Sequence, residues 1–160
     1  MRVLFVHGLM SSPQGVKARY LAERFEALTP AMDTGDFLGC LAVQREAIAS
    51  FRPEVVVGSS FGGAVLLALM HAGDWRGPAL FLAQAAVALD PDARLPRGAA
   101  ALLVHGLHDE VIPVEHSRRL AATGEPARTR LVEVDDGHRL LGLVERDELA
   151  DRVRDAAALG

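Results

Sequence analysis

Apolar residues in this chain come in unbroken runs. Val3 to Val6, Val55 to Val57, Pro78 to Ala83 and Ala99 to Val104 contain no polar residue, where a strand with one wet face would show one at every second position. Strands of this kind are apolar on both faces and must be covered on both. The segments between them have the length and periodicity of helices, so the expected fold class is α/β: a mostly parallel sheet of five or six strands with helices on both faces, in a single domain over residues 1–160.

Taken in order, Arg2 to His7 reads as a strand. The loop Gly8 to Pro13 ends in helix-start chemistry, a serine able to cap followed by proline. The helix should run to about Leu28, with Leu21, Phe25 and Leu28 as its core stripe, and Thr29 to Met32 could form a short strand. Phe37 to Phe51 reads as a second amphipathic helix with Leu41, Ile48 and Phe51 inward. Glu54 opens the central strand, and Ala64 to Met70 is an apolar helix. Gln84 to Gly98 is of mixed character and offers the only candidate for a lid. A strand at Ala99 to His105, a helix at Val114 to Ala122 and a strand at Thr129 to Val134 follow. The closing helix is expected over Glu145 to Leu159, with Leu149, Val153 and Ala156 on one side.

Half of the 160 residues are apolar, enough for a core without staples, and the formal net charge of −4 gives no electrostatic footprint for nucleic acid or an anionic membrane. The single cysteine, Cys40, lies in a helical segment and reads as a small buried hydrophobe; it can form no disulfide within the chain. The first residues resemble a strand more than a signal segment, and the longest apolar stretches fall well short of the roughly 20 residues of a membrane span. These features predict a soluble cytoplasmic protein, and they leave its oligomeric state open.

The chemistry concentrates around Gly58-Ser59-Ser60-Phe61-Gly62, which stands between a β-branched run and an apolar helix. A serine at the apex of such a strand–turn–helix projects its hydroxyl away from the sheet, and the glycines two before and two after let strand and helix pass closely. The helix start also directs unpaired N–H groups at negative charge developing on a substrate. The other reading of the same string is a βα turn that packs a helix or holds a phosphate. Acid and base partners decide between the two. In a parallel sheet ligands gather at the carboxyl ends of strands, and two such ends carry His105-Gly106-Leu107-His108-Asp109 through Pro113 and Asp135-Asp136-Gly137-His138.

The order Ser60, Asp109, His138 resembles that of the α/β-hydrolases, in which acid and base follow the nucleophile. The resemblance covers the whole chain. The opening His7-Gly8-Leu9-Met10-Ser11-Ser12-Pro13, taken with the Gly-x-Ser-x-Gly string, is similar to short bacterial esterases of YqiA type. It implies Ser60 as nucleophile, His138 as base, Asp109 as acid, and the Leu9 and Phe61 amides as the oxyanion hole. The departure is at the front, where there is no room before Met1 for the two leading antiparallel strands of larger members, nor for an inserted cap.

The mechanism asks for the same residue types independently of the family. A neutral imidazole takes the serine proton, and a carboxylate on its far nitrogen fixes the tautomer. Glu110, Asp135 and Asp136 are rivals for the acid, although Asp136 would more simply turn the chain before Gly137. A metal site from His108, Asp109, Asp136 and His138 is conceivable but lacks a dense ligand cluster. His7 and His105 read as buried hydrogen-bonding residues, while His71 and His116 lie on helices without an argued role. The expected activity is hydrolysis of small carboxylic esters or thioesters through an acyl-enzyme, without metal or cofactor, and with a small-molecule ester as partner. A hydrolase-like binding module is the competing class.

Overall fold

The computed structural model describes residues 1–160. Six strands form one sheet: β1 (Arg2–Val6), β2 (Glu26–Leu28), β3 (Val55–Ser59), β4 (Ala79–Leu82), β5 (Ala101–Gly106) and β6 (Thr129–Val134). Their order is β2-β1-β3-β4-β5-β6 and every pairing is parallel. The unbroken apolar runs are divided by the pleat into two sets. Leu4, Val6, Val56, Phe81 and Leu103 point into one core, beneath α2 (Phe37–Phe51), α3 (Phe61–Ala72), the one-turn α4 (Ala86–Leu89) and α5 (Val114–Ala122). Val3, Phe5, Val57, Leu80, Leu82 and Val104 point into the other, beneath α1 (Val16–Arg24), α6 (Leu141–Glu145) and α7 (Leu149–Ala157).

Three segments depart from the sequence reading. The first helix ends at Arg24 and not at Leu28, Phe25 is already extended, and residues 26–28 pair with β1 as an edge strand. The short strand therefore lies ahead of Thr29 to Met32. The proposed stripe is split across the sheet: Leu21 and Phe25 pack in one core and Leu28 in the other. Nor does Ser12 cap α1, whose N-cap is Gly15; the Ser12 hydroxyl accepts from the Gln14 amide inside the preceding turn.

On α2 the buried stripe is Cys40, Gln44 and Ala47, with Leu41, Ile48 and Phe51 half-buried at its flank. The closing helix starts at Leu149 and not at Glu145, which ends the separate helix α6; Asp147 takes a left-handed backbone (φ 59°) between the two. Its carboxylate accepts from the Tyr20 hydroxyl and the Arg24 guanidinium, tying the break to α1. Leu149, Val153 and Ala156 face the core as expected.

Residues 84–98 form a fixed wall. The segment buries Val87 and Leu95, and side chains from α3 and α5 hold its backbone: His71 Nε2 donates to Arg94 O (2.7 Å), Arg119 to Pro91 O (2.8 Å), and Thr123 Oγ1, at the end of α5, accepts from the Leu95 amide (2.9 Å). No helix is long and apolar enough to cross a membrane.

Candidate active site

Because all six strands run the same way, every loop that follows a strand emerges at one edge of the sheet. Ser60 sits there between β3 and α3, with φ 53° and ψ −116°, a conformation that costs a non-glycine residue about 1–3 kcal/mol. Hydrogen bonds on both sides of the residue hold it: its amide donates to Leu82 O (2.9 Å), and its carbonyl accepts from the Gly63 and Ala85 amides. The flanking glycines are required by contact. A Cβ on Gly58 would stand 2.6 Å from Gly62 O, and one on Gly62 would collide with the carbonyls of Val6 and His7.

His138 stands in the loop after β6. The two Asp136 oxygens accept from the Gly137 and Gly142 amides (2.8 and 2.9 Å), so Asp136 shapes this loop as the turn chemistry predicted. The loop lies directly on Gly106, where a Cβ would strike the Asp136 and Gly137 carbonyls. Asp109 follows β5 in a tight turn. Its Oδ1 accepts from the Val111 and Ile112 amides (2.9 and 2.8 Å), and its side chain is fully buried. Burial alone would raise the Asp109 carboxyl, but donors from the Ile112 amide, the His138 ring and the Val111 amide outweigh it and hold the group below its ordinary range.

These three loops bring together the three side chains singled out from the sequence. Ser60 Oγ lies 3.0 Å from His138 Nε2, and His138 Nδ1 lies 2.8 Å from Asp109 Oδ2. The ionised Asp109 can only accept, so Nδ1 carries the hydrogen and Nε2 is left to accept from the serine hydroxyl. The rival acids are elsewhere: Glu110 and Asp135 are exposed, and Asp135 pairs with His108 (2.7 Å).

The Phe61 amide is the first of α3, and Leu9 follows Gly8, whose own Cβ would lie 3.4 Å from that of Ser60. Neither amide donates to a backbone or side-chain acceptor within the protein. The Phe61 ring packs edge-on against Phe37, with centroids 5.8 Å apart. Past that pair, an open groove of about 410 Å³ runs along α3 between Phe37, Ala64, Leu67, Ala68 and Leu89, beginning one helical turn beyond Ser60.

A strained serine between β3 and α3, with a histidine and a carboxylate delivered by the last two strands of a parallel sheet, is the arrangement of the α/β-hydrolase superfamily, and solved structures place the chain there. A protein from Xanthomonas campestris pv. campestris, assigned as a hydrolase of that superfamily, matches with 26% identity and a TM-score of 0.75, over 99% of this chain and 95% of the other. A monoacylglycerol lipase from Paleococcus ferrophilus shares the fold at 14% identity and a TM-score of 0.72, covering 99% and 95%. Est1E from Butyrivibrio proteoclasticus does so at 17% and 0.70, covering 94% and 85%. The chain belongs to the α/β-hydrolase superfamily. No family model matches the sequence, and no curated protein does.

Proposed function

We propose that the protein is a serine hydrolase that cleaves small or short-acyl carboxylic esters through an acyl-enzyme. The observation that carries this reading is the continuous hydrogen-bonded line from Ser60 Oγ through the His138 ring to a buried Asp109. As the Ser60 oxygen attacks the ester carbonyl, its proton passes to His138 Nε2, and Asp109 steadies the imidazolium. The tetrahedral oxyanion is met by the free amides of Leu9 and Phe61 at the positive end of α3. His138 then gives its proton to the departing alcohol, and water enters by the same steps to release the acid. The membership in a hydrolase superfamily supports the same class of reaction.

A fluorophosphonate probe tests the nucleophile without knowledge of the substrate. It is expected to label Ser60 and to leave Ser60→Ala unlabelled; a folded wild type that stays unlabelled would favour a binding protein on a hydrolase scaffold. The pinned 84–98 wall leaves the serine without a closing cover, so each added acyl methylene forgoes much of the roughly 0.8 kcal/mol that burial would bring. Rates on p-nitrophenyl esters are expected to peak at short acyl chains. A steady rise to long chains would instead assign the groove along α3 as an acyl seat.

A further inference from the structure

Behind Asp109 runs a second line of polar side chains that the proposed reaction does not use. His105, Ser117 and Gln84 are each completely buried. His105 Nε2 stands 3.0 Å from Asp109 Oδ2 and 2.9 Å from Ile112 O. Both neighbours are acceptors, so Nε2 must carry a hydrogen. On the other side of the ring, His105 Nδ1 lies 2.7 Å from Ser117 Oγ, and Ser117 Oγ lies 3.2 Å from Gln84 Nε2. The Gln84 amide cannot be reversed without loss, because its Oε1 already accepts from the Val87 amide (3.3 Å). Gln84 therefore donates to Ser117, Ser117 donates to His105 Nδ1, and His105 Nε2 donates its one hydrogen to the Ile112 carbonyl with Asp109 Oδ2 in close contact beside it. The whole line has one direction, and it ends at Ile112 in the turn that carries Asp109, whose carboxylate accepts from the Ile112 amide and orients His138.

We propose that His105 is a positioning residue that locks the Asp109 carboxylate in the plane and place needed to align His138 with Ser60, with Ser117 and Gln84 holding the His105 ring in the donor form. The role rests on the reading of Asp109 as the acid of the hydrolytic site. With His105 in place, the Asp109 carboxylate takes three donors, the Val111 and Ile112 amides on Oδ1 and His138 on Oδ2, while the His105 ring bears on Oδ2 at 3.0 Å and holds the Ile112 carbonyl. Ile112 is thus gripped by His105 at its carbonyl and donates to the carboxylate from its amide, so the ring fixes the turn that aims Asp109. Without His105, the Ile112 carbonyl loses its partner and nothing stands against Oδ2 but His138. The acid would then follow the base where it should fix it. His105 touches no position a substrate reaches, which separates it from the residues that do the chemistry.

The test uses steady-state hydrolysis of p-nitrophenyl acetate together with the rate of fluorophosphonate labelling, in the full-length chain. His105→Leu removes the donor and keeps an apolar body; kcat and the labelling rate are expected to fall about tenfold or more, with KM unchanged. His105→Gln, whose amide can place a donor near the old Nε2, is expected to recover most of the loss. In an Asp109→Asn background, His105→Leu should cost nothing further, since its effect runs through the carboxylate. Full activity in His105→Leu, no recovery in His105→Gln, or an equal loss in both backgrounds would each overturn the proposal. If His105→Leu does not fold, Ser117→Ala carries the same test: a severalfold loss that vanishes in the Asp109→Asn background supports the line, and one that persists refutes it. Labelling of Asp109→Asn at the wild-type rate would remove Asp109 as the acid, and the role of His105 with it, whereas a severe loss there beside full activity in His105→Leu removes His105 alone.

Discussion

A serine hydroxyl gains little from a histidine that can turn away from it, so in the proposed reaction Ser60, His138 and Asp109 act as one group. Ser60→Ala, His138→Ala and the double variant are expected to lose similar activity, because the second deletion finds nothing left to break. Asp109→Asn should cost about 10³–10⁴-fold, with esterase rates as the check. Losses that multiplied in the double variant would deny the coupling. These residues were legible in the sequence because parallel strands send every following loop to one edge, and only a few polar side chains stand at those positions. The link from His105 to Asp109 was not. A histidine before glycine announces burial, but what its ring touches depends on how the turn to Ile112 folds back.

Lys17 offers a separate test at this scale. Burial at the start of α1 strips water from its ammonium and Arg139 adds repulsion, which Asp136 only partly offsets, so its pKa drops to about 8. In the unfolded chain a lysine titrates near 10.4. At pH 7 the group is charged in both states and its cost to the fold is complete; the cost fades as the folded protein sheds the proton above about pH 8. Lys17→Met is thus expected to raise stability at pH 7 by about 1–3 kcal/mol and by much less near pH 10, measured by urea unfolding. An equal gain at both values would refute the cause.

Among the elements, the start of α3 lies directly against both β3 and the end of β1, and the glycines there leave no room for a side chain. A methyl on Gly62 would meet the Val6 and His7 carbonyls, which are backbone and cannot step aside. Gly62→Ala is expected to destabilise by about 2 kcal/mol or more and to lower the labelling rate of the protein that remains folded, read from thermal unfolding and probe kinetics together. The helices bounded by strong signals were readable at their ends: α2 opens on Asp36, whose carboxylate accepts from the Gly39 amide, and α5 follows Pro113. The misread elements share a cause. Over residues 21–28 helical spacing and strand alternation describe the same apolar positions, and pairing with β1, not local periodicity, decides. The break at Asp147 was equally hidden, since the Tyr20 and Arg24 that hold it lie more than a hundred residues earlier.

On the scale of the molecule, the sheet is laid down from β3 to β6 in the order of the chain, each new strand taking the outer edge of the last. Ser60 comes from the first of these strands, Asp109 from the loop after the third, and His138 from the loop after the fourth, 78 residues beyond the serine it serves. Ser60 can therefore reach its strained turn well before His138 stands beside it. Contacts between distant parts of a chain form late, and β6 is the least buried strand of the central run. Refolding followed by circular dichroism and by probe labelling should then give two time courses, with labelling the slower; coincident curves would mean that the last strand docks with the rest. On the proposed reading of Ser60, the competence of the serine works as a clock hand, marking the moment when the final edge of the sheet has closed.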